Sequence, residues 1–324
     1  MISKIVIIAE GDLYALLGAA SFAISSAIIK RMNKLGDVIQ LNFLRTLIGA
    51  IIFIIHFVLF IDFNLINDIS GLILFYLIIS VILNIVIGDT AFFESQNKLG
   101  VKIAMPIVNT YPYFTIILAI IFLNEFITIE VILGSLILIP GIIFLSVDRA
   151  EKEDKNLNLN NNKDKIFDED KIKGLIYVMI AVLCYSLGML FTTVGTVNID
   201  PILANSIRVP VATVGLLFLM RVSNTSKVNK NNFEIGFEQN FNPFSWSNKY
   251  RILMLLSGVL GTYFSSLFLV LSVQEIGASR SAILFSTGPF FSLPIAIYWL
   301  KEKLSYFTII GTIMTIIGLW VILI

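Results

Sequence analysis

Long apolar runs alternate with short polar stretches along almost the whole chain. Each run is close to the ~20 residues that an α-helix needs to cross ~30 Å of hydrocarbon, whereas barrel strands would be about ten residues long with alternating polarity. The pattern therefore predicts an all-α integral membrane protein with ten transmembrane helices. The predicted spans are 13–29, 38–61, 71–93, 103–123, 128–147, 174–193, 201–220, 252–271, 281–300 and 305–324.

The two halves of the chain repeat each other. Residues 100–141 match residues 277–318 at a constant offset of 177 without a gap, and earlier positions match at an offset of 163. We therefore divide the chain into a first repeat at 1–147, a polar linker at 148–173 and a second repeat at 174–324. The change of offset places a polar insertion at 221–250.

Each repeat holds five spans, and an odd number reverses the orientation of the second repeat in the membrane. The sequence therefore predicts two inverted five-helix repeats about a pseudo-two-fold axis in the membrane plane, an architecture typical of secondary transporters. Of the 23 Lys and Arg residues, 19 lie in loops after odd-numbered spans, against Lys4 and Arg280 on the other side. This asymmetry favours termini outside the cell.

The composition agrees with a multi-pass protein of the cell membrane. Hydrophobic residues make up 57% of the chain and charged residues 14%, against about a quarter in soluble domains. The lipid bilayer is thus an expected partner, and nucleic acid is not. The single cysteine, Cys184, gives no disulfide framework or metal-ligand spacing, and no Walker-type glycine loop is present. No metal and no cofactor are expected.

The two polar segments differ in content. The linker is mixed in charge and rich in Asn, which predicts disorder. The insertion carries Phe233, Phe237, Phe241 and Phe244 at helical spacing. It is compatible with a short helix in the membrane interface or with an irregular loop holding aromatic residues at headgroup level.

Charged residues within the apolar spans are the first candidates for a site, because they cost at least ~2.5 to 3.5 kcal/mol each in hydrocarbon. Arg45 lies near the start of span two and Asp89 near the end of span three, so antiparallel helices bring them to a similar depth. Asn42 shares the helical face of Arg45. The alternatives are a substrate or proton site, a structural ion pair, or an arginine that snorkels to the headgroups beside a misplaced span end.

The second repeat carries the equivalent Asn205 and Arg208. Asp89 is replaced there by Ser266, so Arg208 has no equivalent acid. An arginine without a carboxylate partner that faces a cavity would favour an anionic substrate.

Pro112 and Pro289 occupy equivalent places in spans four and nine, where each removes a helical hydrogen bond. Polar residues surround both prolines, which predicts broken helices at a binding site near mid-membrane. Alternatively, the prolines only bend the helices, and the hydroxyls bond to their own backbone. The substrate-binding candidates here are Asn109, Tyr111, Ser286 and Thr287.

Two further residue types have mainly structural interpretations. Glu125 and Glu302 end spans four and nine, where we expect them to fix the tight turn into the next span. His56 is the only histidine and could carry a proton, but a lone histidine on an apolar helix is more often packed and hydrogen-bonded.

These features resemble the EamA-type branch of the drug/metabolite transporter superfamily. The resemblance rests on five spans repeated twice, on the span-two arginine, and on the pattern Pro112, Glu125, Gly134, Gly141, which returns as Pro289, Glu302, Gly311, Gly318. It implies a ten-helix transporter or exporter with a cavity between the repeats. It also implies cytoplasmic termini, contrary to the Lys and Arg count, so the orientation stays open.

We therefore expect a secondary transporter or exporter of a small polar metabolite, such as an amino acid, that works by alternating access. Coupling to protons and exchange for a second solute are both open. An integral-membrane enzyme acting on lipid-linked substrates, or an accessory subunit, is the alternative. The chain is not expected to be an enzyme, because no constellation of His, Asp, Glu or Cys gathers at one membrane face in the sequence.

Overall fold

The computed structural model describes residues 9–32, 35–156, 169–230, 243, 246–291 and 306–323, which form helices and turns without a strand. The prediction of an all-α protein is confirmed for this part of the chain. The α-helices are α1 (Glu10–Met32), α2 (Val38–Phe60), α3 (Gly71–Val81), α4 (Thr90–Leu99), α5 (Val101–Val108), α6 (Tyr111–Leu123), α7 (Ile129–Asn156), α8 (Glu169–Gly195), α9 (Pro201–Lys230), α10 (Asn248–Gly258), α11 (Ser265–Phe285), α12 (Gly288–Phe291) and α13 (Tyr306–Leu323).

Seven helical stretches in the described part are long and apolar enough to cross a membrane, and two shorter apolar helices, Ile129–Leu145 and Ile309–Leu323, accompany them. The stretch Asn248–Phe285 holds the eighth predicted span and the start of the ninth, separated at Gly277. The remainder of the ninth span, from residue 292, lies outside the described residues. The described helices thus cover the first eight predicted spans, the beginning of the ninth and nearly all of the tenth.

The predicted polar segments are more helical than expected. Helix α7 continues to Asn156 and α8 begins at Glu169, so both ends of the linker are helical, and the prediction of a disordered linker was wrong there. Helix α9 likewise enters the insertion as far as Lys230. Helix α8 begins with Glu169 and Asp170, and negative charges favour a helix N-terminus. The predicted interfacial helix around Phe233 to Phe244 lies outside the described residues.

Backbone irregularities recur at equivalent positions of the two repeats. Gly100 and Gly277, 177 residues apart, have φ angles of 76° and 75°, a left-handed conformation that glycine adopts without a steric penalty. Two π-helical segments, Ile82–Asp89 and Val259–Phe264, start at positions with the same offset. The duplication therefore extends to the local backbone geometry.

Equivalent helices of the two repeats pack against each other and run antiparallel. In the α7–α13 pair, a Cβ added at Gly134 would lie 2.9 Å from the carbonyl oxygen of Gly318, and one at Gly141 would lie 3.0 Å from that of Gly311. Such close backbone approach requires small residues. In the α2–α9 pair, the Ser206 hydroxyl donates to the Phe53 carbonyl oxygen at 3.1 Å.

Other large helix contacts also cross between the repeats. Helix α1 packs against α11, and α8 packs against α3 and α4. Large apolar side chains such as Phe60, Phe122 and Phe218 remain exposed on the outside of the bundle, as a lipid-facing surface requires. The first repeat thus packs extensively against the second repeat.

Candidate functional site

Arg45 and Asp89 form a buried ion pair. The Arg45 Nη2 atom lies 2.5 Å from Asp89 Oδ2, and the two side chains are only 1% and 7% exposed. The pair joins α2 to the end of the first π-helical segment, as the antiparallel packing of spans two and three predicted. Arg45 therefore does not snorkel to the membrane surface.

Asn42 connects this pair to the irregular backbone of span three. Its Oδ1 atom accepts a hydrogen bond of 2.8 Å from Arg45 Nη2, and its Nδ2 atom donates to the Ile85 carbonyl oxygen at 3.2 Å. Ile85 lies within the π-helical segment, where the hydrogen-bond ladder changes its spacing. Such segments occur frequently at functional sites.

Tyr185, from α8 of the second repeat, completes the coordination of Asp89. Its hydroxyl donates to Asp89 Oδ1 at 2.8 Å. Sequence reasoning missed Tyr185, because a tyrosine in an apolar span gives no positional signal and its equivalent in the first repeat is Phe22. Both oxygen atoms of the Asp89 carboxylate thus have a donor, one from each repeat.

Arg208 has a different environment from its equivalent Arg45. It is 2% exposed and donates to Ser80 Oγ, Asn205 Oδ1 and Thr192 Oγ1, each at 3.0 Å. All three acceptors are neutral. Asn205 in turn donates to the Ser266 carbonyl oxygen at 3.2 Å, at the position that corresponds to Asp89. The second repeat therefore keeps the Asn–Arg pair and buries a cation among neutral oxygen atoms.

The two proline-containing helices are broken at equivalent points. Turns at residues 109–110 and 286–287 separate α5 from α6 and α11 from α12, and each new helix has its proline at the second position. Asn109, Ser286 and Thr287 are all buried. The hydroxyls of Ser286 and Thr287 donate to carbonyl oxygen atoms of their own helix, at 2.7 and 2.6 Å.

Tyr111 joins this break to the second repeat. Its hydroxyl donates to the Ala282 carbonyl oxygen at 2.9 Å, and its own carbonyl accepts from Ser186 Oγ at 3.0 Å. Its ring lies 5.8 Å from that of Tyr185. The contact between Tyr111 and Tyr185 therefore links the helix break to the ion pair.

Comparison with known proteins identifies the family. The model of the EamA-like transporter family matches residues 9–147 and again residues 172–324. The chain belongs to this family. It is accordingly a multi-pass membrane transporter with two repeats.

Individual relatives agree with this membership. A protein of Archaeoglobus fulgidus, described as an uncharacterized transporter, is 22% identical over 317 residues, which cover 96% of this chain and 97% of the relative. A Clostridium kluyveri protein with the same description is 36% identical over 69 residues, or 21% of this chain and 22% of the relative.

A solved structure titled "Crystal structure of protein" has a similar fold. It superimposes with a TM-score of 0.69 at 10% identity and covers 97% of this chain and 96% of its own chain. At this identity the likeness concerns the fold alone.

In this EamA-like chain, the Glu125 carboxylate contacts the second repeat. Its carboxylate accepts hydrogen bonds from the backbone amide and hydroxyl of Ser279, at 3.2 and 3.0 Å. It thereby caps the helical stretch that follows Gly277, in the other repeat. Glu125 therefore has a structural role, as the sequence predicted, but its carboxylate stabilises a helix start in the second repeat and not the turn into span five. Its equivalent Glu302 lies outside the described residues.

A second ion pair, between Asp12 and Arg280, lies beside this cap. Arg280 Nε and Nη2 donate to the two carboxylate oxygen atoms of Asp12 at 2.7 and 2.9 Å, and the Asp12 side chain is fully buried. The bidentate geometry fixes the start of α1 against α11. The two contacts connect the repeats at the membrane face where α1 begins.

The remaining candidates are structural in this arrangement. His56 Nδ1 lies 2.6 Å from the Tyr263 hydroxyl, so the lone histidine is packed and hydrogen-bonded. Cys184 is buried. Within the described residues, no group of three or more His, Cys, Asp or Glu side chains is placed to hold a metal ion.

Proposed function

We propose that this transporter moves a small polar metabolite, such as an amino acid or a related solute, across the cell membrane by alternating access. Ten helices in two inverted repeats, 1–147 and 174–324, form the proposed pathway. The antiparallel packing of α7 with α13 supports the inversion. Asn42, Arg45, Asp89, Asn109, Tyr111, Asn205, Arg208, Ser286 and Thr287 are the proposed substrate-binding residues, with helix breaks at Pro112 and Pro289.

The observation that supports this proposal most directly is that both repeats donate hydrogen bonds to Asp89. Arg45 of the first repeat and Tyr185 of the second repeat hold the two oxygen atoms of one buried carboxylate. Charges within a membrane protein are costly and usually mark a substrate or ion pathway. A carboxylate divided between two repeats also changes its coordination whenever the repeats move.

The inverted arrangement gives a physical route for that movement. Arg45 is the eighth residue of α2, and Arg208 is the eighth residue of α9. At a rise of ~1.5 Å per residue, each arginine lies ~10 Å inside its own end of the bundle. Since α2 and α9 are antiparallel, the two polar clusters lie nearer to opposite faces. Rocking one repeat against the other would open the clusters in turn.

Reconstitution tests this function directly. The purified protein is screened by thermal shift against amino acids, nucleotide precursors, sugar phosphates and quaternary amines, since a ligand at 100 times its Kd adds ~2.7 kcal/mol to stability. The solutes that stabilise the protein are then used as labelled probes in proteoliposomes. We expect uptake that is abolished by Asp89→Asn in folded protein. Failure of every stabilising solute to cross would favour an accessory subunit or a lipid-directed enzyme.

The same vesicles distinguish transport coupled to protons from transport by solute exchange. Uptake that follows an imposed pH gradient indicates proton coupling, whereas uptake that depends on unlabelled solute inside the vesicle indicates exchange. Asp89 is the proposed proton carrier in the first case, because it is a buried carboxylate that accepts hydrogen bonds from both repeats within the polar cluster of Arg45. Asp89→Asn would then eliminate the response to the pH gradient.

A further inference from the structure

All the unpartnered buried polar atoms of the described side chains lie on three elements that meet around Arg45. Four side-chain nitrogen or oxygen atoms are buried without a hydrogen-bond partner, namely Arg45 Nε, Arg45 Nη1, Ser26 Oγ and Thr262 Oγ1. They belong to α1, α2 and the second π-helical segment. Because buried polar groups in folded proteins are nearly always hydrogen-bonded, this concentration requires an explanation.

Packing contacts confirm that the three elements meet here. The Arg45 guanidinium lies 5.8 Å from the ring centre of Phe22, one helical turn before Ser26. A Cβ added at Gly261, the neighbour of Thr262, would lie 3.5 Å from Arg45 Cδ. The guanidinium also lies 5.3 Å from the ring centre of Phe93.

Most of the N–H groups of Arg45 have no hydrogen-bond acceptor among the described residues. A guanidinium carries five N–H groups, and those of Nη2 donate to Asp89 and Asn42. The three N–H groups on Nε and Nη1 have no acceptor in the described protein. Arginine has no acceptor atom, so a ligand at this place must supply oxygen atoms or other acceptors.

The balance of buried charge indicates which acceptors fit. Among the described residues, the buried charged side chains are Asp12, Arg45, Asp89 and Arg208. Asp12 is paired with Arg280, and Arg45 is paired with Asp89, which leaves the charge of Arg208 in excess. The buried charge of the described residues is therefore net positive, and a cationic cargo would add to it.

We propose that the cargo carries a carboxylate or phosphate group, and that Arg45 Nε and Nη1, with the hydroxyls of Ser26 and Thr262, bind it. The proposal rests on the transport function given above and narrows its substrate class. In the unloaded protein Asp89 occupies one side of the guanidinium, so it neutralises Arg45 and competes electrostatically with the cargo anion.

Matched pairs of probes test the proposal by thermal shift and titration at constant ionic strength. Succinate is compared with succinamide, glycerol 3-phosphate with glycerol, and putrescine represents cations. We expect at least one anion to stabilise the protein while its neutral partner and putrescine do not. The carboxylate and phosphate arms distinguish the two forms of the anionic group.

Variants locate the binding. Arg45→Lys keeps the charge but loses the separate Nε and Nη1 donors, and it should weaken the Kd of the anion at least about tenfold. Thr262→Val preserves the side-chain volume and removes one hydroxyl, which should weaken anion binding about 2- to 10-fold. Asp89→Asn removes the competing charge and should tighten anion binding by about threefold or more. Arg31→Gln, on the exposed end of α1, removes a charge elsewhere and should leave the Kd unchanged.

Each remaining outcome contradicts the proposal. Stabilisation by neutral or cationic probes alone overturns it, as does the absence of any stabilisation by an anion. An anion response that is equal in wild type, Arg45→Lys and Thr262→Val places the anion elsewhere. If Arg45→Lys does not fold, the isosteric Thr262→Val decides the test. The transport function itself is tested separately by two-sided cysteine accessibility, which requires no anion.

Discussion

Tyr185 and Asp89 are separated by 96 residues and belong to different repeats, yet the tyrosine hydroxyl lies 2.8 Å from the carboxylate. This hydrogen bond makes the second repeat a direct participant in the ion pair of the first. The hydrogen bonds of Asp89 therefore depend on the relative position of the repeats.

The Arg45–Asp89 pair should show strong energetic coupling. Removing either partner leaves an uncompensated buried charge, which costs ~3 to 5 kcal/mol for buried pairs. In a double-mutant cycle with Arg45→Gln and Asp89→Asn, we expect the double variant to lose less stability than the sum, with a coupling of ~1 kcal/mol or more. Thermal unfolding in detergent measures this, and additive losses would show that the pair contributes no net interaction.

Transport then separates the roles of the pair. A purely structural pair would recover transport in the folded double variant. A substrate or proton site would remain inactive in the same protein. We expect the inactive result, because Asp89 lies at the contact between repeats.

Tyr185→Phe should impair transport more than folding. The substitution removes one hydrogen bond to a carboxylate, worth ~1.5 to 3 kcal/mol, and leaves the ring packing intact. Tyr177→Phe is the matched control on α8, because Tyr177 is 36% exposed on the outside of the bundle. We expect slower uptake in proteoliposomes for Tyr185→Phe alone. Equal uptake in both variants would show that the hydroxyl serves stability only.

Gly141→Ala should destabilise the α7–α13 contact. The added Cβ would lie 2.9 Å from the Thr315 amide nitrogen and 3.0 Å from the Gly311 carbonyl oxygen, so the helices must separate. Overpacking of this kind costs ~1 to 3 kcal/mol. Gly71→Ala is the control, because a Cβ there meets nothing within 4 Å. An unchanged Tm for Gly141→Ala would disprove the close contact.

Glu125 should make stability depend on pH. Burial raises the pKa of this carboxyl, which lies in the loop after α6, above its usual value of 4.5, and hydrogen bonds from Ser279 offset part of the rise. The folded state therefore holds the Glu125 proton more tightly than the unfolded state does. Its contribution to stability is full below pH 4.5 and is lost as the pH rises through the raised pKa.

Glu125→Gln, which stays neutral, provides the reference for this effect. The Tm of the wild type relative to Glu125→Gln should fall as the pH rises from 4.5 towards neutrality. Parallel Tm curves for the two proteins, or a relative gain by the wild type with rising pH, would contradict this sign.

Sequence reasoning reached those features that follow from helical geometry. Arg45 and Asp89 lie at a similar depth in antiparallel spans, which predicts their contact. The antiparallel packing of α7 and α13 follows from the inverted repeats. Tyr185 and Ser279 could not be found in this way. The repeat offsets establish which residues are equivalent, but they do not say which residues of one repeat touch the other. Those contacts depend on how two bundles dock in three dimensions.

The most direct test of alternating access uses cysteines at the two equivalent helix breaks. In a Cys184→Ser background, which removes the only native cysteine, Asn109→Cys and Ser286→Cys are treated with a membrane-impermeant thiol reagent in right-side-out and inside-out vesicles. Asn64→Cys, in the loop after α2, should react from one side only. Ile117→Cys, which is 54% exposed on the lipid-facing side of α6, should react from neither.

The account predicts that Asn109→Cys and Ser286→Cys each react from both sides, because the region between the repeats opens to each face in turn. Inert cysteines at both positions, or reaction from a single side while the Asn64→Cys control behaves as expected, would contradict alternating access through this region.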